Sequence, residues 1–474
     1  MIFTIDLGTS YLKFALFDRT GRMTRSAIVA PSIERPHPGW MEMTFDGFLR
    51  AVDDGVRELF ADAEVGPESV EAITFATQAN TFLLLDSSGR PLTPLISWTD
   101  LRAEDEVERI RCLERLPRFV ETTGVPAMGA EFMVAKLRWL MRHDSDAWRQ
   151  AACVCTISEL LTLWMTGRHA ADAGTAALTG LADATTREWW LEALDAVSMT
   201  QAMLAEVFDL GADLGPLLPT ARERWGFSPT CRFVMGCLDQ YAGGIGVGNT
   251  GTGILSETTG TVLAALCCTH QISKLDDAVV FHGPSFEDGL FYRMTFGGAS
   301  ADFLHWYRGQ LEGLPSYADL ASLAAECSPG ADGIRFDRRA TPEQAITPYL
   351  DKAPAVVTRA ILEANAFALR DHIATLGSSE QQGFSEVRSA GGAARSETWL
   401  QVKADVLGIP VRATDCPEPT SLGAAILAEA ALSRTAVGDV AREWIHLKRP
   451  HEPNPERHAF YQSLERHDAT PSNV

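Results

Sequence analysis

The chain has 474 residues, 46% of them hydrophobic and 22% charged, too many for one ordinary core and typical of a globular protein with two large domains. A net charge of −21 with no Lys/Arg cluster argues against binding nucleic acid by counterion release and against adhesion to anionic lipid. No run approaches the roughly 18 apolar residues of a membrane span, the early apolar run holds Asp6 and lacks a basic segment before it, and nine scattered cysteines do not form a disulfide framework, so a cytoplasmic protein is expected.

Residues 1–30 read as a β-meander. Strand-forming residues 2–5 lead into Asp6-Leu7-Gly8-Thr9-Ser10, residues 12–17 return, and Asp18-Arg19-Thr20-Gly21-Arg22 makes the next turn. Residues 45–60 have helical spacing, and two apolar runs, 73–77 and 82–85, read as strands. A long helix is expected over residues 103–116 and an amphipathic one around Lys136. Cys153/Cys155 and Cys267/Cys268 lie in apolar strand-like runs with no His or second Cys pair at ligand spacing, so buried reduced thiols are expected. A break falls near residues 227–230. Strand 232–235 follows, then helices over 355–376 and 396–407 and another from Ser421. Hairpins first and helices later, twice over, give an α/β chain of two duplicated lobes: 1–230, 231–450 and a polar tail 451–474 expected to fray.

The feature that points to chemistry is a repeated device. Asp6-Leu7-Gly8-Thr9-Ser10 returns as Glu257-Thr258-Thr259-Gly260-Thr261 before a second apolar strand. Such turns offer backbone N–H groups and hydroxyls to an anion, and Gly admits close approach. Two of them suggest a grip on one polyphosphate. Asp6 ends its strand either as a turn cap or as the holder of a phosphate-bridging magnesium, and the repetition favours the metal. Lys13 sits either near the phosphates or in solvent.

Asp239, in Gly236-Cys237-Leu238-Asp239-Gln240, lies between a strand and a small-residue helix, where helix N–H groups would favour its ionised form. It is either a plain N-cap or a base that takes a hydroxyl proton. Gln78, Asn80, Trp98, Asp100 and Gln240 supply fixed polar groups and an apolar face suited to a polyol. Gly391-Gly392-Ala393 would let a flat ring lie on backbone.

Together these segments resemble the FGGY family of carbohydrate kinases. The match runs from Asp6-Leu7-Gly8-Thr9-Ser10 through Trp98-Thr99-Asp100-Leu101-Arg102, Gly236-Cys237-Leu238-Asp239-Gln240 and Glu257-Thr258-Thr259-Gly260-Thr261. It continues to Gly391-Gly392-Ala393-Ala394-Arg395-Ser396, Trp399, Gln401 and Leu422-Gly423-Ala424-Ala425. The resemblance implies an actin-like, ribonuclease-H-like fold in both lobes, with sugar and ATP in the cleft between them. It implies Asp239 as general base, with Asp6 and Asp239 the carboxylates nearest Mg2+. Gly8, Thr9, Ser10, Lys13, Thr259, Gly260 and Thr261 would face phosphates, and Gly391, Gly392 and Ala393 the adenosine. A homodimer is common among such kinases.

Two departures stand out. Ala79-Asn80 replaces the Arg-Glu that glycerol kinases carry and the Met-His of xylulokinases. The compact run Ile334-Arg335-Phe336-Asp337-Arg338-Arg339-Ala340-Thr341-Pro342 replaces the family's usual C-terminal-lobe stretch. The expected reaction is transfer of the ATP γ-phosphate to a small ketose, a pentulose such as xylulose first and a hexulose, deoxyketose or polyol second. A catalytically silent sugar sensor is the rival of another class.

Overall fold

The computed structural model describes residues 1–61, 65–272, 279–377 and 383–468. They form two compact units. The first comprises Met1–Gly246, Thr269–Arg293 and Thr420–Trp444, and the second Val247–Cys268, Met294–Pro419 and Ile445–Val474. Among the described residues no helix is long and apolar enough to cross a membrane.

The first unit is built on the expected meander, β1 (Ile2–Leu7), β2 (Leu12–Phe17) and β3 (Met23–Val29). All six residues of β1 are buried, because the strand is covered on both faces and paired on both edges, antiparallel to β2 and parallel to β4 (Ala72–Thr77). Helix α1 (Phe45–Phe60) starts at Thr44, whose hydroxyl caps Gly47 N–H at 3.1 Å, and buries Phe48, Ala51, Val52, Val56 and Leu59 against β2 and β3. Phe3, Phe14, Phe75 and Phe227 fill the core, with the rings of Phe3 and Phe227 5.9 Å apart.

A smaller sheet in this unit runs in the order Glu42–Met43, Leu95–Ile96, Phe82–Leu85, Cys153–Thr156. Helices α2 (Met133–His143) and α3 (Ile157–Thr166) follow in the chain, then β5 (Asp213–Pro216), β6 (Arg232–Val234), β7 (Cys237–Leu238) and α4 (Asp239–Gly246). The main sheet has the order β5-β6-β4-β1-β2-β3, with β7 also pairing to β4.

The long helix expected over 103–116 is broken. A four-residue helix, Val107–Ile110, stands between 3-10 turns at Glu104–Glu106 and Leu113–Arg115. Glu106 is buried and ion-paired to Arg142, and to Arg109 at 3.3 Å, so a charge must turn inward where an amphipathic helix would place an apolar group. Tighter i→i+3 bonds, such as Leu116 N–H to Leu113 C=O at 2.9 Å, replace the helical ladder there.

The second unit repeats the pattern. Antiparallel β8 (Ile254–Thr259) and β9 (Leu263–Thr269) flank the second Gly-Thr turn, and β8 pairs in parallel with β10 (Glu386–Ala390), which pairs with β11 (Val411–Ala413). Helices α5 (Tyr317–Glu326), α6 (Pro354–Gly377) and α7 (Glu397–Leu407) supply a core with Phe303, Leu320, Ile361, Trp399 and Val402. The compact 334–342 run buries Ile334 and Phe336 in this core and ends at Thr341, which caps the helix Pro342–Ile346.

The tail does not fray as expected. It holds α8 (Pro455–Asp468), packed on α7. Tyr461 is fully buried; its hydroxyl donates to Glu363 Oε1 at 2.7 Å and accepts from Arg359 Nη2 at 2.7 Å. Leu464 packs against the same core and Arg457 pairs with Asp405 of α7, so several contacts dock the helix. Residues 469–474 lie outside the described residues.

Candidate active site

Within the first unit, three parallel strands end at one edge of the sheet. The register sets Leu7 beside Thr77 and Thr77 beside Leu238, so Gly8, Gln78 and Asp239 follow together past the strand ends, with Asp6 two residues earlier on its strand, level with Ala76. Two strand spacings of about 4.8 Å put the outer backbones roughly 10 Å apart. Crevices at the carboxyl ends of parallel strands are where α/β sheets bind ligands.

Gly236 makes this alignment possible. A Cβ there would lie 1.8 Å from Phe75 O, so any other residue would push β7 off β4 and move Asp239 with it. Asp239 opens α4, and its Oδ1 accepts from Gln240 N–H at 2.6 Å. The sequence suggested an ionised carboxylate favoured by the helix. Instead, burial outweighs that donor and raises its pKa from 3.8 to about 6. A base with this value is matched to chemistry near neutrality.

Asp6 is almost wholly buried, and Lys13 stands directly opposite it in the β1–β2 ladder. Such pairs hold their Cβ atoms about 5 Å apart, so the lysine shares the carboxylate's face. The Gly8-Thr9-Ser10 turn is fastened from behind. Gln78 Nε2 donates to Gly8 C=O at 3.2 Å, Trp98 Nε1 donates to Thr9 Oγ1 at 2.9 Å, and Thr81 Oγ1 donates to Gln78 Oε1 at 2.8 Å. A connected network of this kind fixes the turn rather than leaving it to adapt.

Asn80 and Asp100 have different surroundings. Asn80 has a positive φ of 59°; its amide donates to Leu178 C=O at 3.1 Å and its carbonyl oxygen accepts from Met133 N–H at 3.1 Å, at the start of α2. Asp100 is fully buried. Both its oxygens serve Arg102, at 2.8 Å each, and Oδ2 also accepts from Met41 N–H at 2.6 Å. The Arg102 guanidinium stacks over Trp40 at 3.8 Å. Gln240, next to Asp239 on α4, is only partly buried.

One lysine was not legible as a site residue. Lys136, on α2, is fully buried and its ammonium donates to the carbonyls of Trp98 (3.0 Å), Ala130 (2.7 Å) and Glu131 (3.1 Å). Burial pulls its pKa down to about 7, while three acceptors suit the three-donor charged form. It braces the loop that carries Trp98. Its only sequence signal is a Lys at a core position of an apolar helix face.

In the second unit, Thr259-Gly260-Thr261 lies beside Gly391. Gly391 has φ +80°, and a Cβ there would meet Thr259 O at 2.8 Å. Gly392 is exposed, whereas Ala393 turns its methyl into the core and leaves its backbone at the turn. Glu257, the counterpart of Asp6 in the repeated device, is locked in a fully buried ion pair with Lys403 Nζ at 2.5 Å. Lys403 also donates to Thr259 Oγ1 at 2.9 Å, and Thr259 Oγ1 donates to Glu257 Oε2 at 2.7 Å. The two copies therefore differ in where the lysine comes from: Lys13 faces Asp6 from the adjacent strand of its own hairpin, whereas Lys403 reaches Glu257 from α7.

Duplicated hairpins with Gly-Thr turns, one near-neutral carboxylate at the head of a helix and an actin-like, ribonuclease-H-like arrangement of strands define the class, a phosphotransferase with an alcohol group as acceptor. The chain belongs to the FGGY family of carbohydrate kinases: the family's N-terminal domain matches residues 1–246 and its C-terminal domain residues 333–432. It is 29% identical to the xylulose kinase of Escherichia coli (strain K12), covering 98% of this chain and 96% of that protein. It is 25% identical to the autoinducer-2 kinase of the same strain, over 97% of this chain and 92% of that one. The ligand-bound xylulose kinase of Lactobacillus acidophilus shares its fold, with a TM-score of 0.87 at 21% identity and coverage of 100% and 99%.

Proposed function

We propose that this kinase transfers the γ-phosphate of ATP to a hydroxyl of a small ketose, with a pentulose such as xylulose as the first choice. The observation that carries the reading is Asp239, a carboxylate with a pKa near 6 at the carboxyl edge of the sheet that also carries Asp6. Its Oδ takes the proton of the substrate hydroxyl as that oxygen bonds to the γ-phosphorus and the bond from phosphorus to the ADP oxygen breaks. Catalysis is then mostly positioning and charge stabilisation.

Gln78, Asn80, Trp98, Asp100 and Gln240 are assigned to the sugar side, with the protein hydrogen bonds of Asn80 and Asp100 holding that wall in place. Gly8, Thr9, Ser10 and Lys13 are assigned to phosphates, as are Thr259, Gly260 and Thr261, and Gly391, Gly392 and Ala393 to the adenosine. Asp6 offers a hard carboxylate oxygen, which suits Mg2+, with Asp239 the second carboxylate of that edge. Bound there, the ion would neutralise charge on the phosphates.

Similarity to both a xylulose kinase and an autoinducer-2 kinase supports a ketose acceptor and leaves its length to the pocket. A coupled ADP-release assay with ATP and Mg2+ across pentuloses, hexuloses, polyols and autoinducer-2 tests the reading. Ketose-dependent ADP release is expected, greatest with a pentulose. Sugar binding without any ADP release would favour the silent sensor.

A further inference from the structure

We propose that Cys153, Cys155 and His169 form a zinc-binding site, built from residues other than those assigned to phosphotransfer. Their ligand atoms all lie within 4.8 Å of one another. Cys153 and Cys155 belong to the strand Cys153–Thr156, where residues two apart share a face. His169 returns to that face after α3, just before the strand Ala170–Asp172, and brings both ring nitrogens within 3.3 Å of Cys153 Sγ. With Zn–S about 2.3 Å and Zn–N about 2.1 Å, a tetrahedral site sets sulfur and nitrogen about 3.6 Å apart, so the present contact need open only slightly to admit the ion.

The surrounding groups orient the histidine. Glu159 Oε2 lies 3.3 Å from His169 Nε2 and also accepts from Thr156 N–H at 2.9 Å, as part of the capping box of α3. A carboxylate only accepts, so Nε2 is the donor to Glu159 and Nδ1 is the nitrogen that turns to a metal once any proton on it is lost. A ligating histidine whose other N–H meets a carboxylate is the usual outer support of a zinc site. Two thiolates and a neutral imidazole balance the charge of Zn2+, and each thiol releases its proton to solvent on coordination. The His169 side chain is 22% exposed, which gives the ion an entry and a water the fourth position. Bound zinc would tie the strand before α3 to the turn after it.

The test uses metal-free full-length protein. Cobalt titration should give one equivalent with a thiolate-to-metal charge-transfer band, and zinc should compete for it against a chromophoric chelator and protect Cys153 from alkylation. Cys153→Ser and His169→Gln, both at partly exposed positions, should weaken zinc at least 100-fold, and Glu159→Gln about 10–100-fold. Circular dichroism and unchanged kinase turnover would show that these variants fold. A charge-transfer band that is absent, or zinc affinity unchanged in folded Cys153→Ser, overturns the proposal.

Discussion

Replacing Asp239 by Asn should make the protein more stable and nearly inactive. In the folded state its pKa is raised from 3.8 to about 6 by burial. A group so shifted favours folding below its unfolded value and loses that contribution as pH rises through about 6, so at pH 7.5 the ionised carboxylate costs the fold its full share. At about 1.4 kcal/mol per unit, this cost has an upper limit of about 3 kcal/mol. Asn keeps the shape without the charge. Urea unfolding should therefore show a higher midpoint for the variant at pH 7.5, with the difference shrinking from pH 6 towards pH 4. Turnover should fall by about 10²–10⁴-fold or more, the usual share of a general base, while sugar binding by calorimetry persists. The wild-type kcat/KM profile should drop below about pH 6, and that limb should vanish in the variant. Near-normal turnover, or a variant less stable than wild type at pH 7.5, would refute the argument.

Three further outcomes follow from the second unit. Lys403→Met leaves Glu257 buried without its counter-ion and should cost about 3–5 kcal/mol in denaturant melts, much of it recovered in the Lys403→Met, Glu257→Gln double variant. Gly391→Ala forces a methyl against Thr259 O at φ +80°, about 1–3 kcal/mol of strain; the KM for ATP should rise more than the KM for sugar. Tyr461→Phe removes the hydroxyl between Arg359 and Glu363 and should cost about 1–3 kcal/mol, with hydrogen exchange fastest in α8.

Local order was legible in the sequence. Both Gly-Thr turns, the opening meander, α1 and the strand-to-helix step at Asp239 are written in contiguous residues, because turn chemistry, capping and apolar period act over a few positions. Even there, a buried charge such as Glu106 broke a helix that its own period supports. Tyr461 and Leu464 on the core, with Arg457 paired to Asp405, ordered a tail that composition marks as polar.

Electrostatic states and partners were decided only in the tertiary structure. Lys403 reaches Glu257 across 146 positions, and nothing near either residue announces the other. His169 joins Cys153 and Cys155 only because α3 carries the chain back to the strand it left. The same holds for Asp239: its neighbours favour a charge, whereas the partial burial of its carboxylate at the sheet edge disfavours one. Desolvation depends on everything packed around a group, and most of that comes from elsewhere in the chain.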